Sequence, residues 1–143
     1  MEEHDLAIEL LENMQKLDRA KLHRSITDSL HGGDFMLLYI ARHHGMALPS
    51  EISHEVGIST ARVAVALNNM EKKELLTREI DIQDRRRIIV KLTDKGKEVV
   101  KTKQAELKKS MSMLLSTLSE DDAKEYVRLT GLLAKNIVGL RMD

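Results

Sequence analysis

The apolar positions Leu6, Leu10, Met14 and Leu17 recur at intervals of four, four and three with polar and charged residues between them, the stripe of an amphipathic helix. This predicts a first helix from Asp5 to about Arg24. Thr27 to Gly33 reads as a polar break, with Asp34 as N-cap of a second helix that opens Phe35-Met36-Leu37-Leu38-Tyr39-Ile40-Ala41. That helix is apolar on nearly every side and is expected at the centre, ending near Gly45 in the left-handed backbone region. Pro49 to Val56 reads as a short helix with Pro in its first turn, and Gly57 supplies a turn. Ser59 caps a helix from Thr60 to about Lys73, and Ile52, Val56, Ile58, Val63 and Leu67 turn inward.

The period then changes from about 3.6 to 2. Leu76, Arg78, Ile80 and Ile82 alternate with Thr77, Glu79 and Asp81, and Ile88, Val90 and Leu92 alternate with Ile89, Lys91 and Thr93, so two strands flank Gln83-Asp84-Arg85-Arg86. Thr93 or Asp94 caps a long helix to about Leu118. Ser119, with Asp122 three residues on, opens a last one carrying Tyr126, Leu129, Leu133, Ile137 and Leu140. Two short helices joined through glycine and followed by a hairpin form a winged helix-turn-helix. Its second helix suits a DNA major groove, while the hairpin tip reaches backbone or minor groove. The fold class is mainly α with a small β-hairpin wing, flanked by N- and C-terminal helices whose apolar stripes are longer than a 143-residue monomer covers easily and so read as dimerisation helices. The expected parts are 1–33 (N-terminal dimerisation helix), 34–96 (winged helix-turn-helix) and 97–143 (C-terminal dimerisation helices), within one structural domain.

Composition narrows the function. With 143 residues, 42% hydrophobic and 2% aromatic, the core must be aliphatic and Met-based, and Met36, Met46, Met70, Met111 and Met113 read as core or interface filler. The absence of cysteine removes disulfides, thiolate metal sites and thiol nucleophiles. The acidic start Met-Glu-Glu-His-Asp and the lack of any apolar run near the ~18 residues of a membrane span point to a soluble, cytoplasmic chain with no membrane partner. Net charge is zero, but it is segregated: residues 1–33 carry four basic and seven acidic side chains, whereas 97–118 carry five and two. The middle concentrates its positive charge at Arg85-Arg86-Arg87. At a turn these arginines fan outward toward phosphates or a narrow minor groove, as three consecutive strand residues would not.

The string Asp81-Ile82-Gln83-Asp84-Arg85-Arg86-Arg87-Ile88-Ile89-Val90-Lys91-Leu92-Thr93-Asp94-Lys95-Gly96 resembles the wing of the MarR family of bacterial and archaeal transcriptional regulators, Asp-x-x-Asp-Arg-Arg followed by alternating aliphatics and Leu-Thr-x-x-Gly. Glu51-Ile52, Gly57-Ile58-Ser59, Leu67 and Met70-Glu71-Lys72-Lys73 resemble its helix-turn-helix, although Glu74 stands where the family often has Gly. The resemblance covers essentially the whole chain. It implies a homodimer with intertwined first and last helices that presents two winged helices to a pseudo-palindromic operator on double-stranded DNA, as a repressor. In many relatives a small aromatic acid or lipophilic effector binds between the dimerisation helices and the DNA-binding part; here such a cleft would draw on Met14, Phe35, Tyr39 and Val100.

The residues expected at DNA are Ser59, Thr60, Ala61, Arg62, Val65, Asn68 and Asn69 of the recognition helix and Arg85, Arg86 and Arg87 of the wing, with Asp84 orienting a wing arginine. Arg62 suits guanine, Asn68 or Asn69 suits adenine, and Ala61, Ala64 or Val65 suits a thymine methyl, so the operator is expected to be A·T-rich. Arg87, which starts a strand, is also placed to pair with an acidic neighbour. The histidines His4, His23, His31, His43, His44 and His54 lack ligand spacing, so no metal and no cofactor is expected. Neither a phosphate-cradling glycine loop nor a nucleophile-base arrangement is present, which speaks against an enzyme. The rival reading is a winged-helix protein-interaction module without DNA binding, favoured by the zero net charge and the sparsely basic recognition helix.

Overall fold

The computed structural model describes residues 3–30 and 33–140; the side chain of His4 and the whole of His31 lie outside the described residues. The elements are α1 (Glu3–Arg19), α2 (Lys21–Leu30), α3 (Gly33–Arg42), β1 (Met46–Ala47), α4 (Pro49–Val56), α5 (Thr60–Lys72), β2 (Leu76–Ile80), β3 (Ile88–Leu92), α6 (Asp94–Leu115) and α7 (Glu120–Ile137). The strands form an antiparallel sheet in the order β1-β3-β2, with Leu76 opposite Leu92, Arg78 opposite Val90 and Ile80 opposite Ile88.

The core follows from α3. Met36 to Ile40 are buried in succession, as expected of a helix apolar on nearly all sides, and around them gather Ile52 of α4, Val63, Leu67 and Met70 of α5, Leu76 and Val90 of the sheet and Val100 of α6. Val56 and Ile58 are half-buried against this cluster. The chain leaves α3 through two residues with positive φ, His44 (62°) and the expected Gly45 (78°). The Gly45 N–H donates to the Ile40 carbonyl (3.0 Å), and the Gly45 carbonyl accepts from Leu92 N–H (2.9 Å), which ties the end of α3 to β3.

Four expectations are corrected. The first helix is two: the chain bends at Ala20, whose N–H reaches the Leu17 carbonyl (3.0 Å), while the Arg24 guanidinium donates to the Asp18 carbonyl left free by the bend. The stretch expected as a polar break from Thr27 is helical to Leu30, with the Thr27 and Ser29 hydroxyls turned back onto the carbonyls of Arg24 and Ser25 (both 3.0 Å) instead of competing for the helix N–H groups. Asp34 sits inside the first turn of α3 rather than capping it, and its carboxylate meets Lys103 Nζ of α6 at 3.3 Å. The inward alternation of β2 fails past Leu76: Arg78 and Ile80 are exposed, Asp81 is buried, and Ile82 is 93% exposed.

The caps explain the remaining boundaries. Thr93 Oγ1 accepts from the Gly96 N–H (3.0 Å) to start α6, and Ser119 Oγ accepts from the Asp122 N–H (3.1 Å) to start α7. Without the familiar glycine, Glu74 itself takes φ 62°, and its carbonyl accepts from Thr93 Oγ1 at 2.6 Å. The apolar stripes of α1 and α7 stay uncovered: Leu6, Leu10 and Met14 are more than half exposed, as are Leu133, Ile137 and Leu140. Among the described residues no helix is long and apolar enough to cross a membrane.

Candidate nucleic-acid interface

The turn between α4 and α5 is closed by local bonds. Gly57, at φ 72°, donates its N–H to the Ser53 carbonyl (3.0 Å), and Ser53 Oγ donates to the Ile58 carbonyl (2.6 Å). Ser59 Oγ then accepts from the Arg62 N–H (3.2 Å), so this expected contact residue is the N-cap of α5. With Val63, Leu67 and Met70 buried, a helix of about 3.6 residues per turn must turn Ala61, Val65, Asn68 and Lys72 to the opposite side. These four are exposed, as are Thr60, Arg62, Ala64 and Asn69 on the flanks. Lys72, which the sequence reading placed only within the Met70-Glu71-Lys72-Lys73 string, stands in this outer row.

Asn68 does not stand free. Its Oδ1 accepts a 2.6 Å hydrogen bond from Arg78 Nη2 of β2, and the same guanidinium places Nε 3.3 Å from Glu71 Oε2. The bidentate approach to adenine expected of Asn68 needs that oxygen as an acceptor. Asn69 remains on the exposed flank.

The three wing arginines have different surroundings. Asp81 accepts the Gln83 N–H on Oδ1 (2.9 Å) and Arg87 Nη2 on Oδ2 (3.1 Å), while Asp81 N–H donates to the Arg87 carbonyl (3.0 Å). Arg87 therefore lies between two carboxylates, with Asp84 Oδ2 3.6 Å from its Nε. Asp84 Oδ1 accepts both the backbone N–H (3.1 Å) and Nε (3.2 Å) of Arg86, whose side chain is still 91% exposed. These two bonds, backbone first, hold the Asp84 carboxyl below its ordinary range. Arg85 is exposed and has no ion-pair partner among the described residues. The sequence signal for Asp81, an Asp six residues before an Arg across a turn, was hidden by the apolar alternation around it.

The four residues expected to line an effector cleft are not brought together. Met14 is 55% exposed on α1, Tyr39 and Val100 belong to the core, and Phe35 is half-buried on α3. Burial, then the charges of Glu51 and Glu55, raise the Tyr39 hydroxyl above its ordinary range. A polar cavity does lie where α2, α3 and α6 meet, lined by Ser25, Ser29, Asp34, Lys103, Glu106 and Ser110 over Ile26 and Leu107. Among the described residues no group of three His, Cys, Asp or Glu side chains is placed to hold a metal ion.

A model of the MarR family matches residues 35–87, from the start of the central helix through the wing arginines. An uncharacterized HTH-type transcriptional regulator of Bacillus subtilis, YwaE, is 31% identical over 137 residues, spanning 94% of this chain and 78% of that one. The chain belongs to the MarR family. The HTH-type transcriptional repressor MdtR of Bacillus subtilis is 26% identical, over 92% of this chain and 84% of its own. The solved structure of a MarR family protein from Bacillus stearothermophilus superposes with a TM-score of 0.74 over 96% of this chain and 99% of the other; at 17% identity it supports the fold. Membership places the helix-turn-helix of α4 and α5 and the β2-β3 wing in the positions of a MarR-type winged helix.

Proposed function

We propose that this MarR-family chain is a homodimeric DNA-binding transcriptional regulator that lays α5 of each subunit in successive major grooves of a pseudo-palindromic operator. The observation that carries this reading is the wing. An internal carboxylate pair fixes Arg87 and steadies Arg86, leaving Arg85 and the Arg86 head exposed at the tip of a hairpin whose strand β2 meets Asn68 and Glu71 of α5 through Arg78. Ala61, Val65, Arg62 and Asn69 offer apolar contact for thymine methyls and hydrogen bonds for base edges. The uncovered stripes of α1 and α7 supply a dimer face, and two-fold symmetry then sets the recognition helices about 34 Å apart.

Repression fits the named repressor among the relatives, and occupancy of a cytoplasmic promoter is the simplest way to act. A small-molecule effector would act by binding better to one half-site spacing than another. The cavity at α2, α3 and α6 is better placed for this than the four residues first expected, because the Lys103–Asp34 pair joins α6 to the DNA-binding part there. Selection of bound duplexes from a random pool tests the reading. A palindrome with half-sites one helical turn apart supports it, and enrichment of no sequence contradicts it in favour of a protein-interaction module.

A further inference from the structure

The Arg78 fork bears on what the recognition helix can read. Arginine carries only donors, so the atom of Asn68 that meets Arg78 Nη2 at 2.6 Å is the amide oxygen. That oxygen has two lone pairs, one of which Arg78 takes, so the Nδ2 hydrogens are the groups of Asn68 left wholly free for the groove. Adenine offers an acceptor at N7 beside a donor at N6, and an asparagine reads it by presenting both an oxygen and an NH2 group. Guanine offers two acceptors, N7 and O6, on the same edge. The second arm of Arg78, on Glu71 at 3.3 Å, anchors the fork across one turn of α5 and offsets a carboxylate that would otherwise face phosphate.

We propose that Arg78, a residue of the wing strand, sets the base preference of the recognition helix by engaging the Asn68 oxygen and turning its NH2 group to the groove, which favours guanine over adenine in each half-site. Arg78 is thus a positioning residue that acts through Asn68. The inference rests on the DNA-binding reading above and refines it at one operator position.

The test uses the full-length dimer and the duplex selected by the unaltered protein, with each half-site position changed in turn to the other three bases. The unaltered protein is expected to prefer guanine at one position per half-site, and Asn68→Ala to lose that preference. Arg78→Ala frees the Asn68 oxygen and should move the adenine-to-guanine ratio at that position about tenfold toward adenine, within the range of one bidentate contact. Other positions should keep their preferences. Asn68→Asp keeps an acceptor for Arg78 but has no donor, so it should retain the melting temperature and lose the guanine preference. A merely structural Arg78 would weaken all duplexes alike without moving the ratio. That result overturns the inference, as does an adenine preference that Asn68→Ala removes from the unaltered protein, or Asn68→Ala weakening every duplex equally. A selected palindrome with unmoved ratios overturns this inference alone, whereas failure to select any sequence overturns the DNA-binding reading and this inference with it.

Discussion

Replacing Gly96 by alanine tests whether the junction between wing and long helix is as tightly determined as the structure requires. A Cβ at this position would overlap the Leu75 carbonyl oxygen and stand 3.0 Å from the Leu75 carbonyl carbon and 3.3 Å from Leu92 Cδ2. The obstacle is backbone, so no side-chain rotation relieves it. The start of α6 must move away, which strains the Thr93 N–H bond to the Leu75 carbonyl (3.1 Å), the Thr93 hydroxyl bond to the Glu74 carbonyl (2.6 Å) and the Thr93 cap on Gly96 itself (3.0 Å). Overpacking of this kind costs about 1–3 kcal/mol, and loss of a cap and one backbone bond adds about 1–2. The sum of about 2–5 kcal/mol is a large share of a stability of order 10 kcal/mol and should lower the melting temperature by roughly 6–20 °C. Thermal unfolding followed by circular dichroism reads this directly, with Lys95→Ala, an exposed neighbour, as a control expected within about 0.5 kcal/mol of the unaltered chain. A Gly96→Ala protein that melts within a few degrees of the unaltered one would refute the close approach of α6 to Leu75.

Other outcomes follow from single residues. Glu74→Gly should stabilise the chain by about 0.5–1 kcal/mol in urea unfolding, since a non-glycine residue now occupies φ 62°. Leu133→Asp, on a side chain 63% exposed in the single chain, should convert a dimer to monomer in sedimentation; an unchanged mass would place the interface elsewhere. Asp84 has a lowered folded pKa, so its contribution to wing order is complete above the ordinary value of 3.8 and fades only as pH falls through the folded value. Its carboxyl resonance should titrate below 3.8, and Arg86→Ala should return it toward that value.

The helix-turn-helix and hairpin could be read from the sequence because their signals are local. Pro49, Gly57, Ser59, Thr93 and Ser119 each act within a turn of their own position, and the period-2 runs meet in one register. The bend at Ala20 was hidden because the residues around it, Arg19, Ala20 and Lys21, are all good helix formers and the apolar stripe reaches Leu17 without interruption. Strand β1, at two residues, is too short to show alternation. The partners of Asp81 and Asn68 were not legible because each is an arginine on another segment, Arg87 across the wing turn and Arg78 ten residues on in β2. The four residues named for an effector cleft were joined by helix rather than by face, and two of them, Tyr39 and Val100, pack in the core. The stripes of α1 and α7 were visible as helices, and their exposure is what a single chain leaves for a second copy.

The proposed DNA contact of the dimeric winged helix runs through its arginine tip. The most direct measurement is the affinity for the selected duplex across a salt series, for the unaltered protein and for Arg85→Glu with Arg86→Glu, with the dimer mass checked in parallel. The unaltered protein should lose affinity steeply with salt. The charge-reversed protein, with four altered tip residues per dimer, should bind far more weakly with a log–log slope shallower by about 2–4. An intact charge-reversed dimer with unchanged affinity and slope would contradict the claim.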